Sequence, residues 1–369
     1  MNGYYITASS SAIASNLDGV GKKVKTQIDN FNSFNISIKY FHLYNKISLL
    51  SKLKRKFLSS YYNYQLPGDF YTCNFFYIRK FMFTRSFIGL LKNIRKKTNA
   101  KILLELPTYP YDSEIPSGIN YKLTLLQDKI LRKKIYKYID RIVTYSLDDE
   151  IFKVKTIKIN NGINCSQIPV RSYNLKNNSL KLIAVANFSK WHGYDRLIHG
   201  LYNYYQNNPK NIVNIYFAGE GDDLPFYKQL TEQYGLSEYV FFEGFVSGSQ
   251  LDSFFENADI GLCSIGCHRK NIFLSSELKS REYLTRGIPM VSSTKIDVLP
   301  EGFPYCHYVS EDDSPIDIQS IINFYNNLTS KYPNNDISSK IRQFAIENCD
   351  ISKTMLPVVN YLKENIISI

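Results

Sequence analysis

Short apolar runs and segments of helical period alternate along nearly the whole chain, in two successive series. The first opens with "GYYITAS" (3–9), passes a loop of small residues (10–23) and continues in "KKVKTQIDNF", which predicts a helix. "ISIKYFHLY", "FYTCNFFYIRK", "KILLELPTY" (101–109), "DRIVTYS" (140–146) and "TIKINNG" (156–162) have strand length and strand composition. Between them "FIGLLKNIRKKT" and "YKLTLLQDKILRKKIYKYI" (121–139) predict helices, the second a long one. The pattern restarts near residue 180. "LKLIAVANFS", "NIVNIYFAGEG", "YVFFEGF" and "DIGLCSI" predict strands, and "GYDRLIHGLYNYYQN", "DLPFYKQLTEQYG" and "SGSQLDSFFENA" predict helices. "SPIDIQSIINFYNNLTSKY" and two further helices follow. Strands alternating with helices predict parallel sheets covered on both faces. Two such series predict two α/β domains, 1–165 and 166–351, joined through the polar stretch "NCSQIPVRSYNLKNNS" (164–179). The arrangement places a ligand cleft between the strand C-termini of the two domains.

Composition narrows the class. At 44% hydrophobic and 21% charged the chain is globular. No window reaches about 18 uncharged apolar residues, so no membrane span is expected. "MNGYYITASSSAIAS" lacks the basic start and apolar run of a secretory signal. The six cysteines are scattered, which suits reduced thiols and a cytoplasmic protein. Cys263, Cys267 and His268 cluster, but their spacing fits no standard zinc pair, and no metal is expected.

Charge is uneven. Residues 1–170 carry 27 Lys and Arg against 11 Asp and Glu, whereas the remainder carries 18 against 22. Much of the excess lies in "KLKRKF" (52–57), "KNIRKKTNAK" (92–101) and "LRKKIYKY" (131–138), interleaved with aromatics and leucines. Three readings fit such a face. An anionic membrane surface ranks first, a plain solvated helix face second, and nucleic acid last, so no nucleic-acid partner is expected.

Candidate chemistry gathers in "LSSELKSREYLTRGIPMVSS" (274–293). Ser275 or Ser276 is a candidate helix cap, and Gly287 stops the helix. Lys279 falls in the first turn, where a cation opposes the helix dipole unless an anion binds there. Glu282 follows Leu278 by four residues, on the line where an apolar residue suits a helix packed on a sheet. A carboxylate placed inward needs donors, and sugar hydroxyls would serve. The plainer reading is a Lys279–Glu282 surface pair. Glycine-bearing loops "LDGVGKK" and "FAGEGDD" are candidate diphosphate cradles, although neither matches a phosphate-loop or dinucleotide fingerprint.

"SSELKSREYLTRGIPMVSS" resembles the nucleotide-sugar motif of family-4 retaining glycosyltransferases, in the branch that reads S-x-L-K-x-R-E-Y-L-x-x-G-x-P. "VANFSKWHGYDRLIHGL" (185–201), "YFAGEGDDLPFYKQL", "VFFEGFVSGSQLDSFFENADIGLCS" and "HRK" (268–270) are similar to later family segments in order and spacing, and "DGVGKKVKTQI" to its acceptor-domain loop. The resemblance implies the GT-B fold: two Rossmann-like domains whose parallel sheets face each other across a cleft, with a C-terminal helix (about 352–369) packing back on the first. It implies that Glu282 holds the donor ribose. Lys279 and the backbone near Ser275, Ser276 and Leu278 would meet the diphosphate. Gly219 and Gly221 would lie at the cleft, Phe245 and Val246 would flank the base, and Gly19 would approach the phosphates from the other domain.

The departures are specific. Leu274 stands where the motif's first glutamate is expected. Asn187 and His192 stand where a basic pair is usual, with Lys190 as a substitute. The acceptor-side histidine is missing, leaving Tyr109 and Asp112 among the polar candidates. His268 and Arg269, in the run "HRKN", are candidates for holding the transferred sugar. Lys279, Glu282, Arg269 and Lys190 are the catalytic candidates. No D-x-D motif occurs, so metal-independent chemistry with no cofactor is expected. The expected function is transfer of a hexose, from a UDP-sugar by preference, to a glycan hydroxyl. The acceptor is expected to be lipid-linked, at the inner face of a bacterial membrane in surface polysaccharide or glycoconjugate synthesis. A protein acceptor, a nucleotide-sugar epimerase and a non-catalytic partner subunit are the alternatives.

Overall fold

The computed structural model describes all residues except 9–18, 44–64, 81, 113–118, 172–178, 333 and 367–369. The basic run 52–57 therefore lies outside the described residues. The chain forms two compact units, Met1–Asn160 with Thr354–Ile369, and Asn161–Lys353.

The first unit contains β1 (Asn2–Thr7), α1 (Gly19–Ser33), β2 (Ser37–His42), β3 (Phe75–Arg79), α2 (Arg85–Lys97), β4 (Lys101–Leu106), α3 (Ile119–Leu131), β5 (Arg141–Thr144), β6 (Glu150–Ile151) and β7 (Val154–Lys158). Its sheet runs β2-β1-β3-β4-β5-β7-β6, parallel except for the β6–β7 pair. The central strands read as continuous apolar runs because both faces are covered: Phe75, Phe76, Tyr77 and Ile78 are all fully buried. Helix α2 starts where the Thr84 side chain accepts the Phe87 N–H, and it buries Phe87, Ile88, Leu90, Leu91 and Ile94. The long helix expected over 121–139 is corrected. It is α-helical only to Leu131 and continues as tighter 3₁₀ turns over Arg132–Lys137, a common way for a helix to end.

A charged group sits deep in this unit. Glu105 on β4 is wholly buried and pairs with Arg79. It accepts from the hydroxyls of Tyr77 (2.8 Å) and Tyr145 (3.0 Å) and from Gln27 Nε2 (3.1 Å). Buried carboxylates persist only when their lone pairs are filled in this way.

The second unit contains β8 (Ser179–Val185), α4 (Tyr194–Tyr205), β9 (Ile212–Ala218), α5 (Leu224–Gln233), β10 (Val240–Gly244), α6 (Gly248–Glu256), β11 (Ile260–Leu262), β12 (Leu274–Ser275), α7 (Leu278–Arg286), β13 (Met290–Ser292), β14 (Lys295–Ile296), β15 (Cys306–Tyr308), α8 (Ile318–Lys331) and α9 (Asn334–Asn348). Its six-stranded parallel sheet runs β10-β9-β8-β11-β13-β15, and β12 pairs with β14 in a small second sheet. Helix α10 (Leu356–Asn365) returns to the first unit. The Tyr361 ring lies 4.9 Å from the Arg141 guanidinium, and Gln27 Nε2 lies 3.7 Å from Met355 Sδ.

Candidate functional site

Several loops leave the C-terminal edge of the second unit's sheet. Two of them are locked together by glycine. Gly219 and Gly221 have φ of +129° and +141°, and a Cβ on either would fall 2.0–2.2 Å from the carbonyl oxygens of Ala186 and Phe188. These glycines therefore fit the loop after β9 against the loop after β8, where Asn187 and Lys190 are exposed.

Helix α7 enters this edge beside the loop after β11. Its seat is fixed from below. Arg281 is fully buried, pairs with Asp297 and donates Nε–H to the Asn161 carbonyl at 3.2 Å. Tyr283 donates to the Leu262 carbonyl at 3.0 Å and lies directly over Gly261, where a Cβ would meet its ring at 2.5 Å. Gly287, at φ +74°, ends the helix.

Lys279 is held by three side chains. Its ammonium donates to Tyr194 Oη (3.2 Å) and Ser264 Oγ (3.3 Å) and lies 3.7 Å from Glu277 Oε2 and 5.5 Å from the Tyr194 ring centroid. Both hydroxyls are free to accept, because each spends its proton elsewhere: Tyr194 on the Leu262 carbonyl (3.0 Å) and Ser264 on Glu277 (2.7 Å). Glu277 also accepts the Ser264 N–H at 3.1 Å. The expected cap at Ser275 or Ser276 is corrected. The helix begins at Leu278, its N-cap is Glu277, Ser275 lies in β12, and the Ser276 hydroxyl accepts from Arg281 at 3.5 Å instead. Because the Glu277 carboxylate is turned to Ser264, it makes no capping bond, and the first-turn N–H groups gain no cap from it. Glu277, Ser264 and Tyr194 were not legible as site residues. Their only signal is spatial, since Ser264 and Glu277 are brought together across a β–α connection.

His192 lies against this cluster. Its ring stacks on Tyr194 with centroids 5.8 Å apart and planes 6° from parallel, and Nδ1 accepts the Ser189 N–H at 3.0 Å. That bond leaves the proton on Nε2. Burial, and then the Lys279 charge, push the imidazole down to about 2, so it stays neutral in the folded protein. In the unfolded chain it protonates below about 6.5. A base whose folded pKa is depressed removes stability as pH falls through its unfolded value. His192→Gln is therefore expected to remove about 1.4 kcal/mol per pH unit of destabilisation between pH 6 and 5. Urea unfolding of both proteins at pH 7, 6 and 5 measures this, and parallel slopes contradict it.

Glu282 differs from expectation. It does not lie unpartnered on an apolar line, and it does not pair with Lys279. Its side chain is 24% exposed, and Oε1 accepts from Arg286 Nε (3.2 Å) and Nη2 (3.1 Å), one turn on. Arg286 also donates to Asp252 at 2.7 Å. A helical i,i+4 ion pair thus accounts for one carboxylate oxygen. Leu278 is the first helical residue and half-buried.

Arg269 does not supply free positive charge. It forks onto both oxygens of Asp195 (2.8 and 2.7 Å) and donates to Asp313 at 2.7 Å, so two carboxylates neutralise it. His268 Nε2 lies 3.1 Å from the same Asp313. The "HRKN" run is in this way tied to α4 and to the loop before α8 through Arg269 and His268. Phe245 and Val246 line a groove of ≈ 730 Å³ together with Lys181, Tyr216, Glu243 and Gln250.

Three candidates fall in the first unit. Gly19 opens α1. Tyr109 packs edge-on against Phe152, with centroids 5.7 Å apart. Asp112 is held in ion pairs. Arg132 binds it at 2.6 and 3.2 Å and Lys129 at 3.3 Å, and the Arg132 bonds hold its carboxyl below the usual range.

Residues 169–265 match the family model described as "Glycosyl transferases group 1". Among curated proteins no sequence relative matches the chain. Solved structures share its fold. Anabaena HepE in complex with UDP and glucose is 14% identical with a TM-score of 0.61, covering 99% of this chain and 100% of that one. Sucrose-phosphate synthase from Thermosynechococcus elongatus is 12% identical with a TM-score of 0.64, covering 98% of each. The lipopolysaccharide outer core galactosyltransferase WaaB is 14% identical with a TM-score of 0.59, covering 98% of this chain and 99% of that one. At these identities the likeness shows the fold, which is GT-B.

Proposed function

We propose that the chain is a retaining, metal-independent glycosyltransferase that moves a hexose from a UDP-sugar to a hydroxyl of a lipid-linked glycan, in bacterial surface polysaccharide or glycoconjugate synthesis. The observation that carries the reading is the Lys279 ammonium at the N-terminus of α7, beside first-turn N–H groups that Glu277 does not cap. A diphosphate is the ligand such a site fits, and the helix dipole reinforces it. HepE, which shares the fold, has also been solved with UDP-glucose. The GT-B fold, the partial family match and the surplus charge of residues 1–170 support the donor class and an anionic-surface acceptor.

In this reading the bond between the anomeric carbon and the β-phosphate oxygen breaks first. Lys279 and the α7 amides take up the charge that develops on UDP. The acceptor oxygen bonds to the same face of the sugar, and its proton passes to the leaving phosphate. His192, fixed as a neutral Nε2–H donor, adds a hydrogen bond without adding charge. Glu282 keeps one oxygen for the ribose hydroxyls while Arg286 holds the other.

Calorimetry with UDP and GDP tests the donor site. Binding of UDP is expected, and Glu282→Ala is expected to weaken it about 10- to 100-fold, the cost of a charged hydrogen bond pair. Binding of neither nucleotide at millimolar concentration counts against the UDP-sugar reading and favours a non-catalytic partner subunit. An epimerised sugar recovered without acceptor makes it an epimerase.

A further inference from the structure

Helix α3 turns an apolar stripe outward. Leu123, Leu126 and Ile130 recur at helical spacing and are 62%, 57% and 55% exposed. The helix is anchored by its other side. Asp128 is fully buried, accepting the Phe83 N–H and the Tyr111 hydroxyl, both at 2.8 Å. Leu131 and Ile135 pack on the first unit's core. At about 100° per residue the centre of the stripe lies nearly opposite Asp128. The leucines are therefore not an inner face seen obliquely, but a second apolar face, uncovered among the described residues.

Its surroundings are basic. Lys122, Lys129, Lys133, Lys134 and Lys137 are all exposed around or just beyond the stripe. Asp112 engages Lys129, and the only carboxylate on α3 itself, Asp128, faces inward. Tyr136 is exposed, with the ammonium groups of Lys137 and Lys153 5.9 and 5.8 Å from its ring. Apolar side chains at the centre, lysines at the margin and a tyrosine at the end match a bilayer interface, where acyl chains receive the first and anionic headgroups the second.

We propose that the outer face of α3 docks on an anionic lipid bilayer through Leu123, Leu126 and Ile130. The purpose, bringing the protein to a lipid-linked acceptor, rests on the glycosyl-transfer reading. The surface itself is tested without any sugar. The whole chain is floated with vesicles of phosphatidylcholine alone, and of phosphatidylcholine mixed with phosphatidylglycerol.

The wild type is expected to float with the anionic vesicles and to stay behind with the neutral ones. The L123S/L126S/I130S variant is expected to lose at least tenfold in bound fraction. K122E/K133E/K134E should lose about fivefold or more per lysine, and added salt should weaken the wild type. Both variants should keep the wild-type melting temperature and UDP affinity.

Equal flotation with both vesicle types, or serine-variant binding equal to wild type, overturns the proposal. A wild-type dimer that the serine variant breaks assigns the stripe to a second copy instead. A melting temperature several degrees lower in the serine variant overturns it too, by showing that the stripe packs within the chain. Flotation as expected together with no nucleotide binding leaves this surface standing and removes the donor reading.

Discussion

Lys279→Ala is expected to lower kcat for UDP-sugar turnover about 100- to 1000-fold in a protein that remains folded. The ammonium sits between two hydroxyls whose own protons are already committed and 3.7 Å from the Glu277 carboxylate, and among the described residues no second cation shares those two hydroxyl acceptors. A charge that acts mainly on the departing diphosphate contributes more to the transition state than to the bound donor. The loss should therefore fall on kcat more than on KM. Lys279→Arg tests whether charge alone suffices, and the packed Tyr194 beneath it predicts only partial recovery, because a planar guanidinium does not fit the same two acceptors. Steady-state kinetics with circular dichroism on each variant decides the matter. Wild-type turnover in the alanine variant would show that the diphosphate lies elsewhere.

Glu105→Ala should cost about 3–5 kcal/mol of stability, the usual result of leaving one member of a buried ion pair alone. Three side-chain donors besides Arg79 lose their acceptor at once. Burial by itself pushes this carboxyl up, but the charges of Arg79 and Lys23 and the bonds from Tyr77 and Gln27 outweigh it, and the net direction is below the ordinary value. A carboxyl depressed on folding contributes stability in full above its unfolded value of about 4.3 and loses it as pH falls through the folded value. The wild type should thus lose stability on acidification below about pH 4, and Glu105→Gln, which cannot titrate, should lose less over the same interval. Thermal melts from pH 7 to pH 3 report both effects. A melting temperature unchanged in Glu105→Ala would mean that water fills the site and replaces the carboxylate.

The strands were legible because a parallel sheet covered on both faces demands apolar runs, and "NFFYIRK" and "KILLEL" have strand length and alternate with segments of helical period. Helix ends were less so. Nothing in "LRKKIYKY" marks the change from α to 3₁₀ winding at Leu131, and β12 with β14 are two residues each. In the site, the motif pointed to Lys279 and Glu282, yet the partners of both came from the structure. Arg286 stood at the i,i+4 spacing from Glu282, and that pairing was available from the sequence. Glu277 was not, because a residue before a helix carries no periodic signature. For Arg269 and His268 nothing in the sequence marked the partners Asp195 and Asp313, which are distant in the chain and were visible only in the structure.

The return of helix α10 to the first unit has a consequence for synthesis. Residues 1–160 are made first but cannot complete their unit, since Met355 and Tyr361 supply packing beside Gln27 and Arg141. Another 193 residues must be translated before those contacts form. At ordinary elongation rates that is a wait of roughly 10–40 s. The second unit has its last segment once Lys353 is made, before the closing segment Thr354–Ile369 of the first unit follows, so the later-made unit is complete in sequence first.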